Sequence, residues 1–359
     1  MLLRLIILGT VLLSAAANVA HACAAAPPRG AHVEIADESA IIIWDAANHR
    51  QHFIRRAVFT TSVEDFGFLV PTPTRPTLAD APDAAFDQLA KITAPPVLTK
   101  VVYKPSAGIG CGASAPMTAS PAGNIHILEQ TRVAGYDAAV LAADDPDALN
   151  RWLGEHGYES RPTLSAWLAP YIKDGWTITA FKIAKGETNI PGVAAAAVHM
   201  TFQTDRPFFP YREPEDQRAT TQAQRSRRLL RVFFIGDGRF AGSRDDGNAW
   251  PGKTIWANAM REDDREQLFR SLSLGPQTAA PLWLTEFEDH SSPRPGTADV
   301  YFEPSPDRTP TERPPAIHYE YHMSWADTIF WSFVTVLIMS AAFLTVHRML
   351  LIMRWVIRV

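Results

Sequence analysis

Residues 328–346 contain no charged side chain. At ~1.5 Å per residue this segment makes a helix of roughly 28 Å, close to the hydrocarbon thickness of a bilayer. No other stretch constrains the chain as strongly, because a fold must either bury it completely or give it to lipid. The flank after it holds His347, Arg348, Arg354 and Arg358 and no acid, whereas the flank before it holds Glu320 and Asp327. That asymmetry predicts one crossing, residues 328–346, with a basic cytoplasmic tail at 347–359. Tyr319, Tyr321, Trp325 and Trp331 fall at the outer boundary, and Arg348, Arg354 and Trp355 near the inner one. Amphipathic rings and basic groups are what anchor a span at its interfaces. A buried core helix is the alternative, and it would leave the charge asymmetry accidental.

The N-terminus supplies a second apolar run, from Leu5 to Ala17 behind the single charge of Arg4. It is short for a span and leads to Ala20-His21-Ala22, an A-x-A cleavage signal. Residues 1–22 therefore read as a signal peptide, and residues 23–327 as the part exported from the cytoplasm. All 38 acids and all but four of the 34 basic residues lie in that part, so it is mildly acidic. Such a balance gives no electrostatic reason to bind nucleic acid.

Two cysteines exclude a disulfide-dense scaffold and any four-cysteine metal site. In an oxidising compartment Cys23 and Cys111 are expected to form one structural disulfide, worth at most ~4.6 kcal/mol in the chain-entropy account. Lipidation of Cys23 is the competing expectation. No C-x-x-C pair points to thiol chemistry.

Short apolar runs predict strands at 40–44, 65–70, 136–141, 176–183, 198–203, 229–235, 281–287 and 300–303. Pro71-Thr72-Pro73 is expected to stop the second of these. Helices are expected around Phe86 and Leu89, over 146–157, over 164–172, and near 262–273. Asp144 and Asp145 offer caps for the second, with Pro146 just inside it. This pattern predicts an α+β fold of mostly antiparallel strands with three or four short helices, plus the single C-terminal transmembrane helix. Seven prolines within 291–316 suggest a stalk over 291–327 that lifts a 23–290 domain, with two subdomains as an option, off the membrane.

Four stretches taken in order carry a family resemblance. They are Phe66-Gly67-Phe68-Leu69-Val70-Pro71-Thr72-Pro73, then Phe86 to Ala94-Pro95-Pro96. Gly135-Tyr136-Asp137-Ala138-Ala139-Val140-Leu141 follows, with Trp152-Leu153 and Gly157-Tyr158. The last is Pro207-Phe208-Phe209-Pro210-Tyr211-Arg212. Over roughly 23–290 the chain resembles the exported bacterial family called domain of unknown function twenty-three thirty. The resemblance implies a signal peptide and often a C-terminal membrane helix, hence a bacterial inner-membrane protein with its bulk in the periplasm. It implies no activity and no catalytic residue.

The sharpest chemical motif is Gly247-Asn248-Ala249-Trp250-Pro251-Gly252-Lys253-Thr254, which matches the P-loop pattern letter for letter. A P-loop joins a strand directly to a helix, but here eleven residues separate Ile235 from Gly247. Gly247, Gly252, Lys253 and Thr254 are therefore expected to form a turn and not a phosphate site. Gly236-Asp237-Gly238 suggests a hairpin. His318 and His322 would share one face of a helix and are the residues that would hold a metal, although a solvated membrane boundary explains them as well. His49 and His52 read as an exposed pair. Ser114 lacks the second glycine of a nucleophile elbow. Arg225, Arg227, Arg228 and Arg231 suggest a solvated basic face, and Phe208 to Tyr211 suggests core.

No complete catalytic motif emerges, and no cofactor is expected. The sequence points to a non-catalytic, membrane-tethered domain that meets the bilayer and binds another envelope protein. An envelope hydrolase with a dispersed site and an assembly factor for a membrane complex are the alternatives.

Overall fold

A computed structural model describes residues 25–26, 33–61, 67–104, 131–143, 145–157, 160–183, 193–194, 197–218, 229–275, 281–291, 293–323 and 325–356. In chain order the elements begin with strands β1 (Ala25–Ala26), β2 (Val33–Asp45), β3 (Arg50–Thr61), β4 (Gly67–Thr72) and β5 (Thr77–Ala81). Helix α1 (Ala84–Ile92) and strands β6 (Val97–Lys104), β7 (Thr131–Val133) and β8 (Tyr136–Leu141) follow. Helices α2 (Pro146–Glu155) and α3 (Pro162–Lys173) precede β9 (Thr177–Ile183), β10 (Val193–Ala194), β11 (Ala197–Gln203) and β12 (Phe208–Phe209). After the single turn α4 (Glu215–Arg218) come β13 (Leu229–Gly236), β14 (Phe240–Arg244), β15 (Lys253–Ala259) and α5 (Glu262–Ser271). Strands β16 (Trp283–Asp289), β17 (Val300–Pro304) and β18 (Ala316–Met323) lead to α6 (Trp325–Val356). Helices and mostly antiparallel strands in separate layers make this an α+β fold, with parallel pairing at β2/β13 and β6/β18.

The chain divides into two units, Met1–Ala94 with Asn124–Arg313, and Pro95–Gly123 with Pro314–Val359. In the first unit an eight-stranded sheet runs β15-β16-β13-β2-β3-β11-β5, with β10 also on β3. A five-stranded sheet runs β1-β4-β9-β8-β7, and a small one β12-β17-β14. Ala40, Ile42, Phe53, Val232 and Phe234 of the large sheet pack with Phe68, Tyr136 and Phe181 of the second and Phe208, Val300 and Phe302 of the third. The opposite face of the large sheet, with Ile41, Ile43, Ile54 and Phe233, is covered by α1 and α5. The opposite face of the five-stranded sheet, with Leu69, Ile178 and Ala180, is covered by α2 and α3. Central strands with both faces covered need apolar side chains at successive positions, which is why Ala40–Ile43 and Val232–Ile235 are unbroken apolar runs.

Local chemistry sets the helix ends. Asp145 caps α2 by accepting from the backbone of Asp147 and Ala148, with Pro146 at the first helical position. Pro170 lies inside α3.

Strand β4 ends at Thr72, inside the expected Pro71-Thr72-Pro73 stop, and the structure differs from the sequence expectations at two other places. The strand runs through Pro71, pairing it with Ile178. Its other neighbour, β1, covers only Gly67 and Phe68. A proline is tolerated there because it removes no ladder bond on an uncovered edge. The Gly236–Gly238 turn makes no hairpin, since β13 pairs with β2 and β16 while β14 pairs with β17 in another sheet. Nor is 291–313 a free stalk. Strand β17 pairs on both sides, Arg294 and Asp299 are buried, and Thr311 bridges Ala257. Its prolines interrupt regular structure without preventing packing.

The second unit holds the parallel pair β6/β18 and helix α6. Within α6, Ile329–Leu350 is long and apolar enough to cross a membrane, and none of its most apolar window is buried.

Candidate functional site

Sequence position alone placed the candidate residues on a turn, a helix and a membrane boundary. Lys253 and Thr254 open strand β15, paired with Glu288 and Phe287, so the glycine-rich turn leads into a strand where a P-loop needs a helix N-terminus. Gly252 has a different reason to be glycine. A Cβ there would overlap the buried Trp250 indole, and one at Gly242 would lie 2.6 Å from the same ring. Gly247 has a φ of +76°, the left-handed region that glycine enters without strain.

His318 and His322 lie in β18, not on a helix. Four residues along a strand separate them by about 13 Å, which takes them out of reach of one metal ion. His322 instead contacts Glu320 at 3.4 Å. Among the described residues no group of three or more His, Cys, Asp or Glu side chains converges as a metal site. Tyr319 and Trp331 are exposed, Arg348 lies on α6, and Trp325 and Arg354 begin and nearly end that helix. Cys23, Cys111, Ser114, Arg225, Arg227, Arg228 and the signal segment 1–22 lie outside the described residues. Tyr321 belongs to β18.

The ionisable groups inside the first unit mostly bind one another. Arg55 donates to Glu38 at 2.7 Å, and Arg294 lies 3.7 Å from Glu38 and 3.8 Å from Asp289. The side chains of Arg294, Glu38 and Asp289 are 0 % exposed. The Tyr211 hydroxyl donates to Asp289 at 2.6 Å, and both burial and this negative neighbour push its pKa up. Arg231 and Arg313 both grip Glu286 and Glu288. Burial alone would raise the Glu288 carboxyl, but the bonds from Arg313, Arg231 and His290 prevail and hold it at about 2.

His49 is exposed, but His52 is buried. His52 Nδ1 meets His199 Nε2 at 3.0 Å, and Thr201 Oγ1 lies 3.1 Å from the first and 3.2 Å from the second. Burial, with a smaller push from His199 and Arg50, lowers His52 to about 4, and burial lowers His199 to about 4. Both imidazoles are therefore neutral near pH 7, and one nitrogen can donate to the other.

Among the described residues, a cleft of about 430 Å³ brings such groups to open space. Pro162, Thr163, Ala166 and Trp167 of α3 form one wall, residues 212–215 another, and Gly296 and Thr297 a third. Four fixed contacts shape it. Asp299 accepts from the Tyr171 hydroxyl at 2.9 Å and from the Arg212 backbone at 3.0 Å. Trp167 Nε1 donates to the Arg212 carbonyl at 2.9 Å, and the Glu213 amide donates to the Gly296 carbonyl at 2.8 Å. Burial raises the Asp299 pKa against the pull of these donors. Thr163 Oγ1 and Arg212 Nε are buried without a hydrogen-bond partner among the described residues. A hydroxyl and a guanidinium edge beside apolar Pro162, Ala166 and Pro214 can hold a ligand that accepts hydrogen bonds and carries some apolar surface.

A family model described as "Uncharacterized protein conserved in bacteria (DUF2330)" matches residues 16–345. The chain belongs to this family. No curated protein and no solved structure matches it.

In this DUF2330 protein the cleft residues were not legible one by one. Thr163, Arg212 and Thr297 come from segments far apart in the chain, and no local spacing links them. The one partial signal was Pro207–Arg212, quoted for the resemblance, within which Phe208 to Tyr211 was read as core with a recognition surface as the alternative. Phe208, Phe209 and Tyr211 are indeed buried, and Arg212, the next residue, faces the cleft.

Proposed function

We propose that this DUF2330 protein is a membrane-anchored, non-catalytic binding domain of the bacterial envelope. In this reading residues 1–22 are removed on export, Cys23 and Cys111 form a disulfide, α6 crosses the inner membrane, and the first unit lies in the periplasm. The basic residues after 346 and the acids before 328 support that orientation. The observation that carries the binding role is the cleft between α3, 212–215 and 296–297. Its walls are braced by Asp299, while its orphaned Thr163 and Arg212 atoms point to recognition of a polar group. Among the described residues, the Arg55–Glu38 and Arg231/Arg313–Glu286 groups are held in ion pairs within the fold.

A photoreactive residue placed at Ala166 in the full chain, expressed in its bacterial host, tests this. Adduct formation with an envelope protein, abolished by Arg212→Ala, is the expected result. Equal labelling with and without Arg212→Ala would remove the cleft from the binding role. Steady turnover of a bound molecule by the purified chain would replace this reading with an envelope enzyme.

A further inference from the structure

The parallel ribbon β6/β18 is joined to α6 almost without a linker. Strand β18 closes at Met323 and α6 opens at Trp325. The register pairs Ile317 with Leu98 and Tyr319 with Lys100, and the next positions pair His318 with Thr99 and Glu320 with Val101. Side chains alternate between faces along a strand. Leu98, Lys100, Ile317 and Tyr319 therefore share one face, while Thr99, Val101, His318 and Glu320 share the other.

The first face is open and sets three apolar side chains beside Lys100. Leu98 is 57 %, Ile317 55 % and Tyr319 46 % exposed. Two strands alone have no core to hide such a face, and isolated two-stranded sheets are marginal in water. The other face also exposes apolar side chains, Val97 at 66 % and Val101 at 46 %, but sets them and Thr99 opposite Ala316, His318 and Glu320. Its ionisable groups favour water.

We propose that the Leu98–Ile317–Tyr319 face lies on the lipid surface, at the headgroup boundary beside the point where α6 enters the bilayer. The inference rests on α6 being a membrane span. Position and chemistry both support it. Between Tyr319 and Ile329, the first residue of the apolar span, the chain covers four strand steps and about one and a half helical turns, a contour of roughly 25 Å. The ribbon is thus tied close to the membrane surface and can lie along it. The Leu98 and Ile317 side chains reach toward the acyl boundary, and the Tyr319 ring suits the headgroup layer. The Lys100 stem can follow the apolar surface while its ammonium meets lipid phosphate. Covering this face with lipid also explains how a two-strand ribbon carries so much exposed apolar surface.

The test uses the full chain in vesicles of phosphatidylethanolamine and phosphatidylglycerol. A benzophenone-bearing residue replaces, one at a time, Leu98, Ile317, Tyr319, Thr99, His318 and Leu337. The five ribbon positions are exposed, so the probe needs no repacking. Lipid adducts at Leu98, Ile317 and Tyr319, and their absence at Thr99 and His318, are expected. Lipid labelling at Leu337 without labelling at Leu98, Ile317 and Tyr319 would overturn the ribbon's membrane contact while leaving the span intact. Failure at Leu337 would overturn the span, and this inference with it. Adducts from Leu98 or Tyr319 to a second copy of the chain, or to another protein, would show that the face is a protein interface and overturn the lipid assignment. Equal lipid labelling from both faces would also overturn it, because one face is required to stay in water.

Discussion

Arg55 Nε donates to Glu38 Oε1 over 2.7 Å between β3 and β2, with the Arg55 side chain 4 % exposed and that of Glu38 0 %. The Arg55 guanidinium also lies 4.7 Å from the centre of the Phe68 ring. Arg294 and Asp289 complete the cluster, so two cations and two anions balance inside an aromatic core. Removing one partner leaves a buried charge uncompensated, which costs about 3–5 kcal/mol. Arg55→Met should therefore lower the unfolding free energy by about that amount, and adding Glu38→Leu should recover much of it because Arg294 and Asp289 still balance. Chemical denaturation of the two variants checks this. A double variant less stable than Arg55→Met would show that Glu38 is held mainly by other partners.

The His52–His199 pair predicts acid sensitivity. Both imidazoles titrate near 4 in the folded chain, below the ordinary 6.5. The unfolded chain therefore binds protons that the folded chain refuses. Stability is full above pH 6.5 and falls as the pH drops through the window from 6.5 to about 4. Each imidazole taken alone contributes about 3 kcal/mol to that fall. His199→Gln should flatten the decline in melting temperature across this window. A variant as acid-sensitive as the parent across this window would place the effect in groups other than the pair.

Gly252 separates the two explanations of the P-loop match. If its role is to make room for the Trp250 indole, Gly252→Ala overpacks that site and costs about 1–3 kcal/mol. Nucleotide binding should be undetectable in parent and variant alike. A variant of unchanged melting temperature that lost a measurable nucleotide affinity would reverse the assignment.

Leu337 lies within the apolar segment of α6. Leu337→Arg puts a charge near the middle of that segment, at an insertion cost of about 2.5–3.5 kcal/mol. The variant should leave the membrane fraction more readily under alkaline extraction than the parent does. Equal retention would argue that another part of the chain holds it on the membrane.

How much of this was legible depended on the range over which each signal acts. The α2 cap needs only Asp145 and Pro146 beside their own backbone, and it formed where spacing placed it. The strands from 40 to 44 and from 229 to 235 were legible because their apolar runs report burial on both faces. His52 was misread as exposed because its partner, His199, comes 147 residues later on a neighbouring strand. The 291–313 segment looked like a stalk because prolines mark breaks in regular structure, and a break says nothing about packing. Arg294, between two prolines, is buried only because Glu38 and Asp289 wait for it across the core.

The sequence by itself determined the apolar C-terminal helix, the alternation of strands and short helices, and the residues that end and cap them. These follow from charge, periodicity and backbone preference within a few residues. Tertiary structure alone decided which strands became neighbours, that Gly252 serves Trp250, and that Thr163, Arg212 and Thr297 share one cleft. Those outcomes depend on contacts between residues far apart in the chain, whose energies exist only once the sheets have closed around a common core.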